Sequence, residues 1–181
     1  MSASTVKKAS RFLSLVLRHD PARAGIVLDA AGWTPVPDLL AALARRGMAI
    51  TFDDLVHIVE TNDKRRFAFN PDRSLIRASQ GHSLPVDLGY GDRAPPETLY
   101  HGTVARFLPA IRAQGLVPGQ RHDVHLSPDA DTARRVGARR GDPVVLRVDA
   151  GAMHRDGFAF RCSANGVWLT AHVPATYLAG L

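Results

Sequence analysis

Four short stretches of this chain set arginine, histidine or hydroxyl side chains at places where an element ends or begins. In Leu15-Val16-Leu17-Arg18-His19-Asp20-Pro21 a charged Arg-His pair closes an otherwise apolar helix, so both side chains emerge where the chain turns. A cation in a last turn also suits the helix dipole, a local explanation that needs no function. In Asp63-Lys64-Arg65-Arg66-Phe67-Ala68-Phe69, strand alternation sets the two phenylalanines on one face and Arg66 with Ala68 on the other. Arg66 then projects outward, while Arg65, at the strand entrance on the phenylalanine side, must bend away or stay in water. Leu99-Tyr100-His101-Gly102-Thr103 gathers an imidazole, a hydroxyl and an unhindered backbone at a strand end, where Gly102 lets a flat ligand approach the main chain. In Gly119-Gln120-Arg121-His122-Asp123-Val124-His125-Leu126-Ser127, His125 alternates with two apolar residues and faces away from a buried side, with Arg121 and His122 in the loop before it. Guanidinium groups suit phosphate oxygens, and an imidazole donates or accepts near neutral pH.

Other chemistries are absent from the pattern. There is no P-loop, no Gly-x-Gly-x-x-Gly fingerprint and no His-Glu-x-x-His helix. The eight histidines are scattered without carboxylates at ligand spacing, so no metal is expected. Cys162 is the one cysteine, which excludes an intrachain disulfide and a Cys-based zinc site. Its apolar-looking neighbours make it read as a small core residue. The net charge of +6 favours a polyanionic partner, whether RNA, DNA or a nucleotide. No apolar run reaches membrane-spanning length and the N-terminus lacks a signal-peptide stretch, so the cytoplasm is the expected compartment.

The elements that must carry these residues fall into two halves. Val6, Ala9, Leu13, Val16 and Leu17 share one face of a helix that Pro21 stops near Arg18 and His19. A second helix fits Pro37 to Arg46, with Gly47 at its C-cap, and a third Phe52 to Thr61, with a Thr51/Asp54 capping box. After a break at Asn62-Asp63, strands at Arg66 to Phe69 and Leu75 to Ala78 flank an Asn70-Pro71-Asp72 turn. Three helices and a hairpin suggest a winged helix. Residues 84–96 collect Pro, Gly and Asp and are expected to link the lobe 1–83 to the lobe 97–181. Beyond them, strands are expected at Leu99 to His101, Val124 to Leu126, Val144 to Val148, Phe158 to Phe160 and Val167 to Leu169, with Asn165-Gly166 turning between the last two. Helices fit Val104 to Gln114, with Pro109 against its regularity, and Asp129 to Arg140.

These groups, taken in order, resemble the tRNA 2′-phosphotransferase family. The likeness covers nearly the whole chain. It adds Arg77-Ala78-Ser79-Gln80-Gly81-His82-Ser83, Gly115-Leu116 and Asn165-Gly166-Val167-Trp168-Leu169-Thr170 with Val173-Pro174 to the four stretches above. The resemblance implies an α+β fold of two lobes, an N-terminal RNA-binding winged helix and a C-terminal ADP-ribosyltransferase-like lobe, with the active site between them. It implies that an internal RNA 2′-phosphate is transferred to NAD through an ADP-ribosylated 2′-phospho-RNA. The products are 2′-hydroxyl RNA, nicotinamide and ADP-ribose 1″,2″-cyclic phosphate. Carried over by motif, Arg18, His19, Arg66 and Arg121 are the catalytic set. His101, Gly102 and Thr103 bind NAD as co-substrate, and His125 and Ser127 line the same cleft. The implied partner is an RNA bearing a 2′-phosphate, tRNA-like or other, with no membrane and with the chain acting as a monomer.

One departure from the wider ADP-ribosyltransferase pattern stands out. Val167-Trp168-Leu169-Thr170 carries no glutamate where protein-modifying relatives have one. A phosphate is already an anionic nucleophile that such a carboxylate would repel, which argues against protein ADP-ribosylation. Two alternatives are an ADP-ribosyltransferase that caps terminal RNA or DNA phosphates, and a non-catalytic winged-helix nucleic-acid-binding protein.

Overall fold

The computed structural model describes residues 3–62 and 64–180. Asp63, which opens one of the four stretches, lies outside them. The fold is α+β, and its contacts divide the chain into two compact units, Met1–Gly89 and Tyr90–Leu181.

In the first unit, helix α1 (Ala3–Val16) buries Ala9, Leu13 and Val16 along one face, and Leu17 continues that stripe past the helix end. The Leu15 carbonyl accepts from the amides of both His19 and Asp20, winding the end into a tight turn. Asp20 then caps a 3₁₀ turn, Pro21–Ala24, which Gly25 closes with a left-handed φ of 68°. Helix α2 (Val36–Arg45) starts one residue earlier than expected. Its end is a Schellman motif, with the amides of Gly47 and Met48 bonded to the carbonyls of Ala44 and Leu43, so Gly47 lies one residue past the cap. Helix α3 (Phe52–Glu60) carries the capping box expected between Thr51 and Asp54.

The antiparallel sheet of this unit has the order β1-β3-β2, from β1 (Thr34–Pro35), β3 (Leu75–Ala78) and β2 (Phe67–Phe69). The hairpin β2–β3 is the expected one, although its first strand begins at Phe67 rather than Arg66. Strand β1, two residues long and followed directly by a helix, carries no alternation by which to read it. Phe67 and Ile76 close the core against Leu13, Leu39, Leu55 and Ile58. Residues 84–88 fold back on this unit through Asp87 to the Ala30 carbonyl and Arg77 to the Leu88 carbonyl.

The second unit contains two three-stranded antiparallel sheets. One has the order β4-β6-β9, from β4 (Thr98–Val104), β6 (Pro143–Asp149) and β9 (Leu178–Ala179). The other has the order β5-β8-β7, from β5 (Val124–Leu126), β8 (Trp168–Thr170) and β7 (Arg161–Cys162). Their core joins Leu99, Leu126, Leu146, Met153, Phe160 and Trp168. The strand expected at Phe158 to Phe160 is absent. Phe160 is buried without strand pairing and Phe158 stacks edge-on against Tyr177, so their alternation reports packing, and the strand falls on the next two residues. Cys162 is only half-buried, against the edge of the core.

The helix expected from Val104 begins later. Val104 ends β4, Ala105–Phe107 forms a 3₁₀ turn, and α4 (Leu108–Gln114) takes Pro109 into its first turn, where a missing N–H costs nothing. Helix α5 (Ala130–Gly137), capped by Asp129, crosses β4 and continues as a 3₁₀ turn to Arg140. Helix α6 (Ala150–Arg155), capped by Asp149, follows β6. Among the described residues no helix is long and apolar enough to cross a membrane.

Candidate functional site

In the first unit, Arg18 and His19 sit in the turn that ends α1. Arg18 is buried to 7% exposure while His19 reaches the surface. The segment after β3 holds both. The Ser83 amide donates to the Arg18 carbonyl at 3.0 Å, and the Ser83 hydroxyl bonds His19 Nδ1 at 3.0 Å.

The same segment positions the other arginine. Ser79 donates from its amide to the Arg66 carbonyl at 2.8 Å and from its hydroxyl to the Arg65 carbonyl at 2.9 Å. Arg65 bends away as expected: its φ is +42° and its side chain is exposed, while Arg66 stays half-buried. Ser79 to Ser83 is therefore a strap that reaches from Arg66 to the Arg18-His19 turn. In the sequence these residues carry part of the family likeness but no role of their own. Two hydroxyls flanking a Gln-Gly-His just after a strand were the available signal.

In the second unit three of the expected residues form a chain of hydrogen bonds. Arg121 Nη1 bonds His125 Nδ1 at 3.0 Å, and His101 Nδ1 bonds the His125 carbonyl at 3.1 Å. A carbonyl only accepts, so His101 carries its proton on Nδ1 and offers Nε2 as an acceptor. Burial holds the His101 imidazole below its ordinary pKa, and the charge of Arg140 acts in the same direction against the bond to His125. His101 is thus neutral at pH 7. An arginine only donates, which makes His125 Nδ1 an acceptor and fixes its tautomer too. Desolvation and Arg140 also lower the Arg121 pKa, yet a guanidinium stays charged. Arg140 was not foreseen, because nothing in its own stretch hinted that the turn after α5 brings its charge within reach of both residues.

Gly102 answers to two neighbours. On its Cα hydrogen side lies α5: a Cβ there would stand 1.8 Å from the Ala133 carbonyl oxygen. That side is closed to any ligand, which corrects the expectation of an unhindered backbone. The strand edge is different. Tyr100 exchanges both backbone bonds with Ser127, at 2.9 and 2.8 Å, so its N–H and C=O point away from β6. Residues two apart point the same way, so Gly102 also turns its N–H and C=O to that edge, beyond Ser127. Thr103 is buried two residues past His101 on the same face of β4. Ser127 contributes its backbone to this fork.

Among the described residues, no group of three or more His, Cys, Asp or Glu side chains converges to hold a metal ion. The stretch Val167 to Thr170 lies largely in β8, and Thr170 spends its hydroxyl on the Ala159 carbonyl.

Comparison with known proteins decides the affiliation. The profile of the RNA 2′-phosphotransferase, Tpt1/KptA family matches residues 4–172. The chain belongs to that family. Its relatives include a Streptomyces coelicolor protein, 59% identical over 98% of this chain and 97% of its own length, and a Burkholderia pseudomallei protein, 54% identical over 94% and 93%. A Pseudomonas aeruginosa protein is 49% identical over 98% of both chains. Each bears the name "Probable RNA 2′-phosphotransferase". The region matched to the Tpt1/KptA profile contains all nine residues of the expected site.

Proposed function

We propose that this chain is an NAD-dependent RNA 2′-phosphotransferase that removes an internal 2′-phosphate from RNA. Family membership supports the phosphotransferase activity. The observation that carries the NAD reading is the locked neutral His101 beside the open edge of Gly102.

The residues fit the dinucleotide. His101 Nε2 accepts from a ribose hydroxyl, and the Gly102 N–H and C=O offer one donor and one acceptor in line, the complement of a carboxamide. Thr103, His125 and Ser127 complete that subsite. NAD supplies the phosphate acceptor, losing nicotinamide and leaving as ADP-ribose 1″,2″-cyclic phosphate, while the RNA 2′-oxygen departs as a hydroxyl. Arg18, Arg66 and Arg121 hold the phosphate oxygens and stabilise the charge that builds on them, since phosphoryl transfer depends mainly on positioning and charge. His19, steadied by Ser83, bonds the reacting hydroxyl or bears on its proton. In this reading the first unit is a winged helix and the second an ADP-ribosyltransferase-like lobe, and no metal takes part.

The test mixes the chain with NAD and a short RNA carrying one internal 2′-phosphate, and separates the products by chromatography. Cyclic phosphate together with 2′-hydroxyl RNA is expected. A persistent ADP-ribosyl adduct on a terminal phosphate would reassign the chain to capping, and no nicotinamide release from folded protein would overturn the proposal.

A further inference from the structure

The first unit has a cavity of about 640 Å³ where the Pro21–Ala24 turn meets the C-terminal end of α2. Ala24, Gly25 and Ala42 form its apolar part, and Arg23, Arg45 and Arg46 surround them. None of these arginines belongs to the set assigned above.

Two of the guanidiniums are tethered. Arg45 Nη2 donates to the Ala24 carbonyl at 3.1 Å, and Arg46 Nη2 donates to the Arg23 carbonyl. Arg46 also lies over the Phe12 ring, 5.4 Å from its centre. A guanidinium has five N–H donors, so one bond to a carbonyl orients it and leaves others for a ligand. Arg23 enters from a different element and gives only its carbonyl to the tethering. The neighbouring carboxylate, Asp20, is turned to accept from the Arg23 backbone amide. Among the described residues none of the three guanidiniums is paired with a carboxylate.

A basic last turn complements the dipole of α2, which accounts for Arg45 and Arg46. It does not account for a third arginine converging from the preceding turn. Three like charges around one cavity repel, and a bound anion relieves that repulsion. Exposed Lys8 adds a further positive charge on α1, one helical turn before Phe12, the ring that Arg46 covers. An open basic surface of this kind suits successive phosphates of a strand better than one enclosed anion.

We propose that this cavity binds the phosphodiester backbone of RNA outside the reacting nucleotide. The proposal rests on the RNA reading above.

Two variants test it, Arg23→Glu and the triple Arg23→Gln/Arg45→Gln/Arg46→Gln. Fluorescence anisotropy with an unmodified single-stranded RNA of about 20 nucleotides reads binding and its salt dependence. On the order of tenfold weaker binding is expected, with a salt slope reduced by about 0.7 for each phosphate no longer neutralised. NAD affinity and turnover of a 2′-phosphorylated dinucleotide, which has no flanking strand, stay at wild-type values. Wild-type RNA affinity and slope in both variants would overturn the proposal, and so would a loss of NAD affinity in place of RNA affinity. If the triple variant melts early, Arg23→Glu decides, because that side chain makes neither tether. Failure of the wild-type chain to act on any 2′-phosphate would remove the proposed function, while the anisotropy would still read the cavity.

Discussion

Gly102→Ala is expected to unfold the second unit at a markedly lower temperature, for a reason unconnected with ligands. The added methyl would stand 1.8 Å from the Ala133 carbonyl oxygen, 2.7 Å from its carbon and 2.8 Å from the Gly137 nitrogen. Ordinary contact begins near 3.4 Å, so α5 would have to retreat by roughly 1.6 Å along that line. All three neighbours are backbone, and no side-chain rotation relieves them. Overpacking costs about 1–3 kcal/mol, and a clash with fixed backbone belongs at the upper end. For a chain of this length, about 3 kcal/mol corresponds to a fall of roughly 6–12 °C in Tm. Differential scanning calorimetry without ligand measures it. Gly137→Ala should cost less than Gly102→Ala, because its Cβ would come 2.8 Å from the Thr103 carbonyl oxygen. A Gly102→Ala protein melting within about 2 °C of wild type would refute the packing argument, since less than about 1 kcal/mol would then be at stake.

Ser83→Ala removes the hydroxyl from His19 but keeps the backbone tie to Arg18. A single neutral hydrogen bond predicts a loss of roughly 3- to 10-fold in kcat with NAD affinity unchanged and recovery in Ser83→Thr; wild-type kcat in the alanine variant would remove Ser83 from the positioning of His19. His101 has its pKa lowered, so its neutral form is favoured in the folded state and its Nε2 acceptor survives below the ordinary histidine range. NAD affinity should therefore be flat from pH 8 down to about 6.5 and fall only at lower pH, as should the contribution of His101 to stability, whereas a midpoint at or above 6.5 in calorimetric titrations would contradict the assignment. Thr51→Ala deletes one half of the α3 capping box and should cost about 1 kcal/mol, seen as a fall of about 2–4 °C in Tm, and an unchanged Tm would show the cap to be idle.

What could be read from the sequence follows the range of the forces involved. The helices of the first unit were legible because their signals are local: the stripe Ala9, Leu13, Val16, the Thr51/Asp54 box and the glycine after α2 all act within a few residues. The hairpin of Phe67 to Ala78 was legible for the same reason. Strand β1 was not, since two residues paired with Leu75 and Ile76, far along the chain, carry no pattern of their own. Phe158 and Phe160 misled because burial against α6 and Tyr177 imitates the alternation of a strand. At the site, the order of motifs pointed to Arg18, His19, Arg66, His101 and Arg121. The strap from Ser79 to Ser83 and the approach of Arg140 to His101 depend on long-range packing, which spacing does not encode.

The fork where Ser127 leaves β4 has a consequence for selectivity. Because Tyr100 saturates both its backbone groups on Ser127, the next residue on that edge presents a peptide with no strand opposite it among the described residues. A primary amide set there satisfies the N–H and the C=O of Gly102 together, as another strand would. A carboxylate in its place has no hydrogen to give and would turn negative charge toward the carbonyl. Leaving that carbonyl unmatched costs about 1–3 kcal/mol, or on the order of 10- to 100-fold in affinity. In the proposed reading the sheet therefore tells nicotinamide from nicotinic acid through the main-chain atoms of Gly102.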